Sequence, residues 1–182
     1  MGEVSKAYNR RVRENWFETY CPEDKAGIDI GCQHDAINHT FRRWDIIFGD
    51  GDATFMQGVP DDKFWTVHAS HVLEHVHHPV LALQNWYRIL KRGGNLIVLV
   101  PHRDLYEKKL ELPSKWNGDH KTFWLPETAE APHTRSLKHT ISEAIPDAEI
   151  ILFRVLDEGY YSESAAVHSQ GEYSIEAVIR KN

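Results

Sequence analysis

The sequence predicts an α/β fold, a doubly wound and mostly parallel sheet that ends in an antiparallel pair of strands. Three observations carry this expectation. Short apolar runs that end in glycine or an acidic residue recur through the first hundred residues, and a long stretch of helical periodicity separates two of them. The last two apolar runs then follow one another with no helical pattern between them. Alternating strands and helices build parallel sheets, whereas directly successive strands pair antiparallel.

Val4, Tyr8, Val12, Trp16 and Tyr20 stand at helical spacing among charges, which predicts an amphipathic helix over 4–20 within an N-terminal segment 1–22. "AGIDIGC" (26–32) has the profile of a buried parallel strand leaving through a tight turn. "WDIIFGD" (44–50) and "KFWTVHAS" (63–70) are the next strand candidates, the former closing on Asp50. "PVLALQNWYRILK" (79–91) places Val80, Leu83, Trp86, Tyr87 and Leu90 on one helical face, with Pro79 at the start and Gly93-Gly94 closing it. "NLIVLV" (95–100) reads as a buried strand stopped by Pro101. An irregular stretch to residue 135 contains four prolines; then come a helix, "SLKHTISEAI", and two strands, "AEIILFRVLD" and "EYSIEAVIRK". The organisation expected is one domain over 1–182, with a binding core at 26–101, a covering loop at 102–135, and a helix and strand pair at 136–182.

Composition narrows the function classes. A chain of 182 residues with 41% hydrophobic content is sufficient for one domain with a sizeable core. A formal net charge of -6, with both signs interspersed, offers no broad basic surface for a phosphate backbone, so no nucleic-acid partner is expected. Cys21 and Cys32 make neither a disulfide framework nor a Cys-x-x-Cys pair, which fits a reducing, cytoplasmic setting. No run approaches the ~20 apolar residues needed to cross a bilayer, and the N-terminus lacks an apolar signal core. Gly2 with Ser5 matches a myristoylation pattern only in part.

Ligands of open parallel sheets bind beyond the carboxyl ends of the strands, which directs attention to 31–35, 50–54, 70–75 and 101–107. Gly31 lets a ligand approach the backbone, and Asp50 could accept hydrogen bonds from both hydroxyls of a ribose. A nicotinamide dinucleotide is disfavoured, because Gly31 is not followed by the repeated glycines that pyrophosphate needs. "SHVLEHVHHP" (70–79) contains His71, Glu74 and His75 in the inverted zinc-protease spacing.

Taken in order, "GIDIGC", "GDGDATFMQGVPDDKF" and "ASHVLEHVHHPVLALQNWYRILKRGGNLIVLVP" resemble the class I S-adenosylmethionine-dependent methyltransferases, in particular the small proteins of the methyltransferase type 11 kind. The resemblance covers about residues 25–101. It implies a Rossmann-like sheet, here with a shortened second β-α-β unit, and S-adenosylmethionine as cofactor, released as S-adenosylhomocysteine. Carried over by position, Asp29, Gly31 and Cys32 fall in the first motif near the amino-acid end of the cofactor. Asp50 falls at the ribose acid, Asp52 and Ala53 at the adenine, and Ser70 and His71 beside the sulfonium. In that family the Ser-His-x-Leu-Glu-His segment follows a strand, whereas the zinc reading needs both histidines one turn apart on a regular helix. No metal ligand set is therefore assigned.

Three departures stand out. Gln33 and Asp35 follow Gly31 and Cys32 where the family repeats glycine, Trp65 follows Phe64 where it often has aspartate, and the segment before "GDGDA" is short, as though a helix and a strand were trimmed. A side chain as large as Gln33 is expected either to narrow the cofactor pocket or to replace a water contact, and the departures together bear on cofactor affinity.

Methyl transfer is an in-line displacement that positioning accelerates. The acceptor, a small or sugar-like molecule, is expected over the central strands beneath residues 101–126. Among His102, Asp104, Tyr106, Glu107, Asp119 and His120, the histidines His102 and His120 are the candidate catalytic groups, because an unperturbed imidazole as a side-chain type is suited to proton transfer near working pH. A purely structural role for either, tying the loop down by hydrogen bonds, is the alternative. Trp116, Phe123 and Trp124 read as packing. Two other functional readings stand beside the enzyme: a non-catalytic S-adenosylmethionine- or partner-binding relative, and a metal-binding protein using His71, His75, His77 and His78. The aromatic face of the first helix could cover the domain or form a homodimer.

Overall fold

The computed structural model describes residues 6–182, so Gly2, Val4 and Ser5 lie outside the described residues. The main sheet contains β1 (Gly27–Ile30), β2 (Arg42–Trp44), β3 (Phe64–Ser70), β4 (Leu90–Pro101), β7 (Glu149–Leu156) and β8 (Ser174–Arg180). Its strand order is β2-β1-β3-β4-β8-β7. The first four strands run parallel, and β8 lies antiparallel to both β4 and β7. This is the expected class, a mostly parallel sheet completed by an antiparallel C-terminal pair.

The sheet is buried on both faces, and β4 shows how. Leu96, Val98 and Val100 join Ile28, Ile30, Val67 and Ala69 in a core beneath α3 (Pro79–Arg88) and α4 (Leu137–Ala144). Ile97 and Leu99, pointing the other way, meet Trp16, Cys21, Phe41 and Val178. The period of two along the strand thus serves two cores, which is why "NLIVLV" is apolar throughout. In α3 the side chains of Ala82, Leu83 and Trp86 are fully buried, each large one stabilising the fold by roughly 1.5–3 kcal/mol.

The N-terminal helix differs from the expectation. It forms as α1 (Tyr8–Arg13) and α2 (Trp16–Tyr20), separated at Asn15, which takes the left-handed conformation at φ 53°. Asparagine tolerates that conformation better than most residues. Tyr8 and Val12 of the apolar stripe are 57% and 54% exposed, while Arg10 and Arg11 are buried. Acidic groups on the body reverse the face: Arg10 forms a two-pronged pair with Glu172 at 2.9 Å, and Arg11 lies 4.0 Å from Glu176 on β8. The Arg11 guanidinium also sits over the Trp16 ring, 4.4 Å from its centroid.

The second strand is also relocated. β2 comprises Arg42–Trp44, and Ile46–Phe48 forms a 3-10 turn with Ile46, Ile47 and Phe48 exposed. Asp45 causes the change, since its Oδ1 accepts from the Ile47 amide, while its own amide donates to Asp50 Oδ2. Side-chain capping of this kind competes with strand pairing. Among the described residues β2 is the one strand between β1 and β3 along the chain, paired with β1, and residues 31–41 contain turns but no helix, so this unit is short as expected.

β4 begins five residues earlier than the expected 95, because Gly93 and Gly94 lie in an irregularity of its pairing with β3 and do not end the helix there. A Cβ on Gly94 would come 2.5 Å from the Trp65 carbonyl oxygen, so only glycine lets the strands approach. The long stretch after β4 is more ordered than expected. It holds a π-helical turn (Arg103–Glu107) and a small parallel pair, β5 (Phe123–Leu125) with β6 (Thr134–Ser136). Phe123 and Trp124 are fully buried and pack this cover onto the sheet. Among the described residues no helix is long and apolar enough to cross a membrane.

Candidate functional site

Two adjoining cavities, of about 500 and 340 Å³, lie across the carboxyl ends of β1, β2 and β3. They share Gly31, Gln33, His71 and His75, and so form one cleft. At its centre β1 turns away at Gly31, φ 70°, where an added Cβ would come 2.3 Å from Val72 Cγ2. Glycine is required here by both conformation and space.

Asp29 lines the larger cavity, yet its carboxylate is already engaged. Oδ2 accepts from the Ile37 amide at 2.6 Å, and Oδ1 pairs with His68 Nδ1 at 2.6 Å. This carboxylate thus stitches the post-strand loop and β3 to β1. Cys32 lies alongside, with burial pushing its thiol up to about 11, so it presents a neutral, weakly reactive sulfur. Gln33 has φ 47°, and its amide donates to Asp45 Oδ2 at 3.0 Å.

The smaller cavity is walled by Trp44, Ile46, Val72 and Val76, with Asp45, Asp52 and Ala53 at its rim. Asp52 Oδ1 accepts from the Thr54 amide, and the Ala53 carbonyl accepts from Trp86 Nε1. Asp50, the expected ribose acid, lines neither cavity. Its Oδ2 accepts from the Asp45 amide at 3.1 Å and its Oδ1 lies 3.5 Å from Arg42. With β2 ending at Trp44, the acid at the strand exit is Asp45, five residues earlier. In the sequence the mark of that position is "RRWD", an acid directly after the last strand residue.

Trp65 stands at the opposite end of β3 from Ser70, some 17 Å away at ~3.3 Å per residue. It therefore has no bearing on the cleft.

Ser70 and His71 follow β3 into the larger cavity, His71 in the left-handed region at φ 56°. His71 Nε2 pairs with Ser174 Oγ at 2.9 Å, and its ring meets the edges of Tyr106 and Tyr173. Residues 72–78 make turns before α3 starts at Pro79, so the His-x-x-Glu-His spacing does not lie on a regular helix, as expected. His77 and His78 are exposed and stand apart from the cleft, which separates them from the four-histidine metal reading.

The cover supplies Tyr106, Asn117 and His120 to the larger cavity. The His120 ring stacks on Tyr106, and its Nδ1 pairs with Glu107 Oε1 at 2.5 Å. Glu107 is fully buried and its other oxygen accepts from Ser114 Oγ. The Lys121 amide donates to the Glu74 carbonyl at 2.7 Å, clamping this loop to the segment after β3. His75 Nδ1 pairs with Asp119 Oδ2 at 3.1 Å, and burial, followed by the neighbouring His120, lowers the His75 pKa. His102, the other candidate base, lines neither cavity. Its Nδ1 accepts from the Asp104 amide and caps the π-helical turn, while burial lowers its pKa.

A sheet of this order, with its penultimate position reversed and a cleft over the exits of its first strands, defines the class I S-adenosylmethionine-dependent methyltransferase fold. A family described as "Methyltransferase domain" matches residues 2–144, and the chain belongs to it. A SAM-dependent methyltransferase of Methanosarcina mazei is similar at a TM-score of 0.56 and 13% identity, over 91% of this chain and 96% of that one. One from Archaeoglobus fulgidus is similar at 0.54 and 17% identity, over 98% and 94%. The [4+2]-cyclase SpnF is similar at 0.54 and 13%, over 94% and 80%. No curated protein matches the chain. At these identities the likenesses concern the fold, and SpnF adds that this fold also carries chemistry named otherwise than methyl transfer.

Proposed function

We propose that this chain is an S-adenosylmethionine-dependent methyltransferase acting on a small-molecule acceptor. The observation that carries the reading is the two-part cleft, with an acid and an apolar wall at one end and polar groups at the other. Its cavities fall within the range that holds small ligands. The donor set fits the cofactor. Asp45 offers carboxylate oxygens to a ribose, Trp44, Ile46, Val72 and Val76 form an apolar wall for an adenine beside Ala53, and Gly31 leaves backbone accessible to the amino-acid end.

When bound, S-adenosylmethionine supplies an electrophilic methyl group on a sulfonium. The chain's own residues then hold the reactants and manage water. Ser70 and His71 flank the reacting end, Tyr106 and Asn117 border the acceptor side, and His120 faces the same cavity. Positioning of this kind supplies most of the acceleration in an in-line displacement. The acceptor is small because the cleft is roofed by the 102–135 cover, and the acidic balance of the chain disfavours a phosphate backbone.

Calorimetric titration of untagged protein with S-adenosylmethionine and S-adenosylhomocysteine tests the reading. Micromolar binding of both is the expected result. No binding at millimolar ligand would leave the chain a non-catalytic, partner-binding relative of its family, a reading that draws on Gln33.

Gln33 itself yields a prediction. A residue with a Cβ costs roughly 1 kcal/mol or more at positive φ, where glycine is free, and its side chain borders both cavities. Gln33→Gly is expected to keep the melting temperature within a few degrees while tightening S-adenosylmethionine binding several-fold. Weaker binding would show that the Gln33 side chain contacts the cofactor directly.

A further inference from the structure

We propose that Glu74, His75 and His120 form a divalent transition-metal site in the larger cavity. His75 Nε2 and His120 Nε2 lie 3.9 and 4.0 Å from Glu74 Oε1. One ligand atom from each of the three residues falls within 4.8 Å of the others. Bonds of about 2.1 Å would draw such a set inward by roughly half an ångström or somewhat more, within the reach of side-chain torsions.

The surroundings orient these atoms. Each imidazole is held through Nδ1 by a carboxylate, His75 by Asp119 and His120 by Glu107, and Glu107 is braced in turn by Ser114. A ring whose Nδ1–H donates to a carboxylate presents a lone pair at Nε2, which is the arrangement that metal-binding histidines use. Here both Nε2 atoms lie within 4.0 Å of one carboxylate oxygen on a fully buried side chain. His71 Nδ1 approaches the same oxygen at 3.6 Å and stands as a neighbour of the ion.

Two imidazoles and one carboxylate select a first-row transition ion such as zinc, cobalt or manganese over calcium. Three protein ligands leave coordination positions open, and Tyr106 and Asn117 line the same cavity. An oxygen donor, such as a hydroxyl of the acceptor, fits those positions, where the ion would lower its pKa. That last assignment rests on the methyltransferase reading; the metal site does not. The spacing His71, Glu74, His75 thus bears on metal after all, through a third ligand delivered by the cover and with no regular helix.

Untagged, chelator-treated protein is titrated with cobalt(II), read by its visible absorption, and with zinc by calorimetry. One equivalent binding at micromolar or tighter Kd is expected. His75→Ala and His120→Ala should each weaken it at least 100-fold, and Glu107→Gln by roughly 10–100-fold through loss of the ring's orientation. The double variant His77→Ala/His78→Ala, which alters only exposed rings, should bind as the wild type. No uptake by folded wild-type protein overturns the proposal, as does uptake that survives both ligand substitutions or follows His77 and His78. Should His120→Ala fail to fold, His75→Ala and Glu107→Gln decide. Parallel titration with S-adenosylmethionine separates the readings, because metal binding without cofactor binding sinks only the methyltransferase, and the converse sinks only the metal site.

Discussion

Replacing Glu176 with glutamine is expected to destabilise the fold by about 3–5 kcal/mol, since breaking a buried ion pair leaves the other charge uncompensated. Glu176 is fully buried on β8 and gathers three guanidinium groups, Arg154 at 2.8 Å, Arg10 at 3.9 Å and Arg11 at 4.0 Å. Arg10 and Arg154 have second carboxylates, in Glu172 and Glu14. Arg11 is different. It is fully buried, and burial is the main cause that lowers its pKa, with Glu176 the leading opposing influence. Without that carboxylate, Arg11 keeps the Trp16 ring and the weaker influence of Glu172. Chemical denaturation checks the loss directly, and a fall in melting temperature of roughly 6–20 °C should accompany it in a domain of this size. Two comparisons sharpen the result. Arg13→Ala removes an exposed pair with Glu158 and should change stability by less than about 1 kcal/mol. Arg11→Met combined with Glu176→Leu should recover much of the loss, because apolar replacement of a buried pair is often neutral or better. A Glu176→Gln protein as stable as wild type would mean that Arg11 is compensated by other means.

The second large effect concerns Asp45. On the methyltransferase reading, Asp45→Ala should weaken S-adenosylmethionine and S-adenosylhomocysteine binding about 100-fold or more. Hydrogen bonds to a charged group contribute roughly 1.5–3 kcal/mol each, and a ribose offers two. Part of the effect is structural, as the carboxylate also accepts from the Gln33 and Ile47 amides, and a lost cap costs about 1 kcal/mol. Asp45→Asn separates the contributions, keeping an acceptor without the charge, and should bind with intermediate affinity. Asp50→Ala should weaken binding by less than tenfold, because Asp50 reaches the site only through the Asp45 amide. Calorimetry on the four proteins reads the order. An Asp50→Ala defect larger than that of Asp45→Ala would return the ribose to Asp50.

The fate of individual residues separates what the chain shows locally from what folding adds. β1, β3 and α3 follow directly from their periodicities, and the glycine after β1 is where a strand must turn under a neighbouring loop. These features depend on neighbours within a few positions, so a pattern of two or 3.6 residues reports them. "WDIIFGD" misleads for a related reason. Its apolar letters suit a strand, but a single aspartate closes a turn on itself, and hydrogen bonds to β1 end the strand at Trp44. Periodicity weighs side chains and does not count hydrogen bonds.

By itself the sequence determined the α/β alternation, the antiparallel C-terminal pair, the turn at Gly31 and the cluster of polar residues after β3. Only the tertiary structure decided which face of the first helix is buried, since Arg10 and Arg11 turn inward toward carboxylates more than a hundred residues away. It also decided that Asp45 and not Asp50 borders the cleft, that Trp65 is remote from it, and that His120 rather than His102 reaches it. The convergence of Glu74, His75 and His120 is of the same kind. The strand exit sets the first two and the 102–135 cover brings the third, because the Lys121 amide bonds to the Glu74 carbonyl. Local spacing constrains what a residue's neighbours can be along one element, while charge pairing and backbone hydrogen bonds between distant elements choose which elements meet.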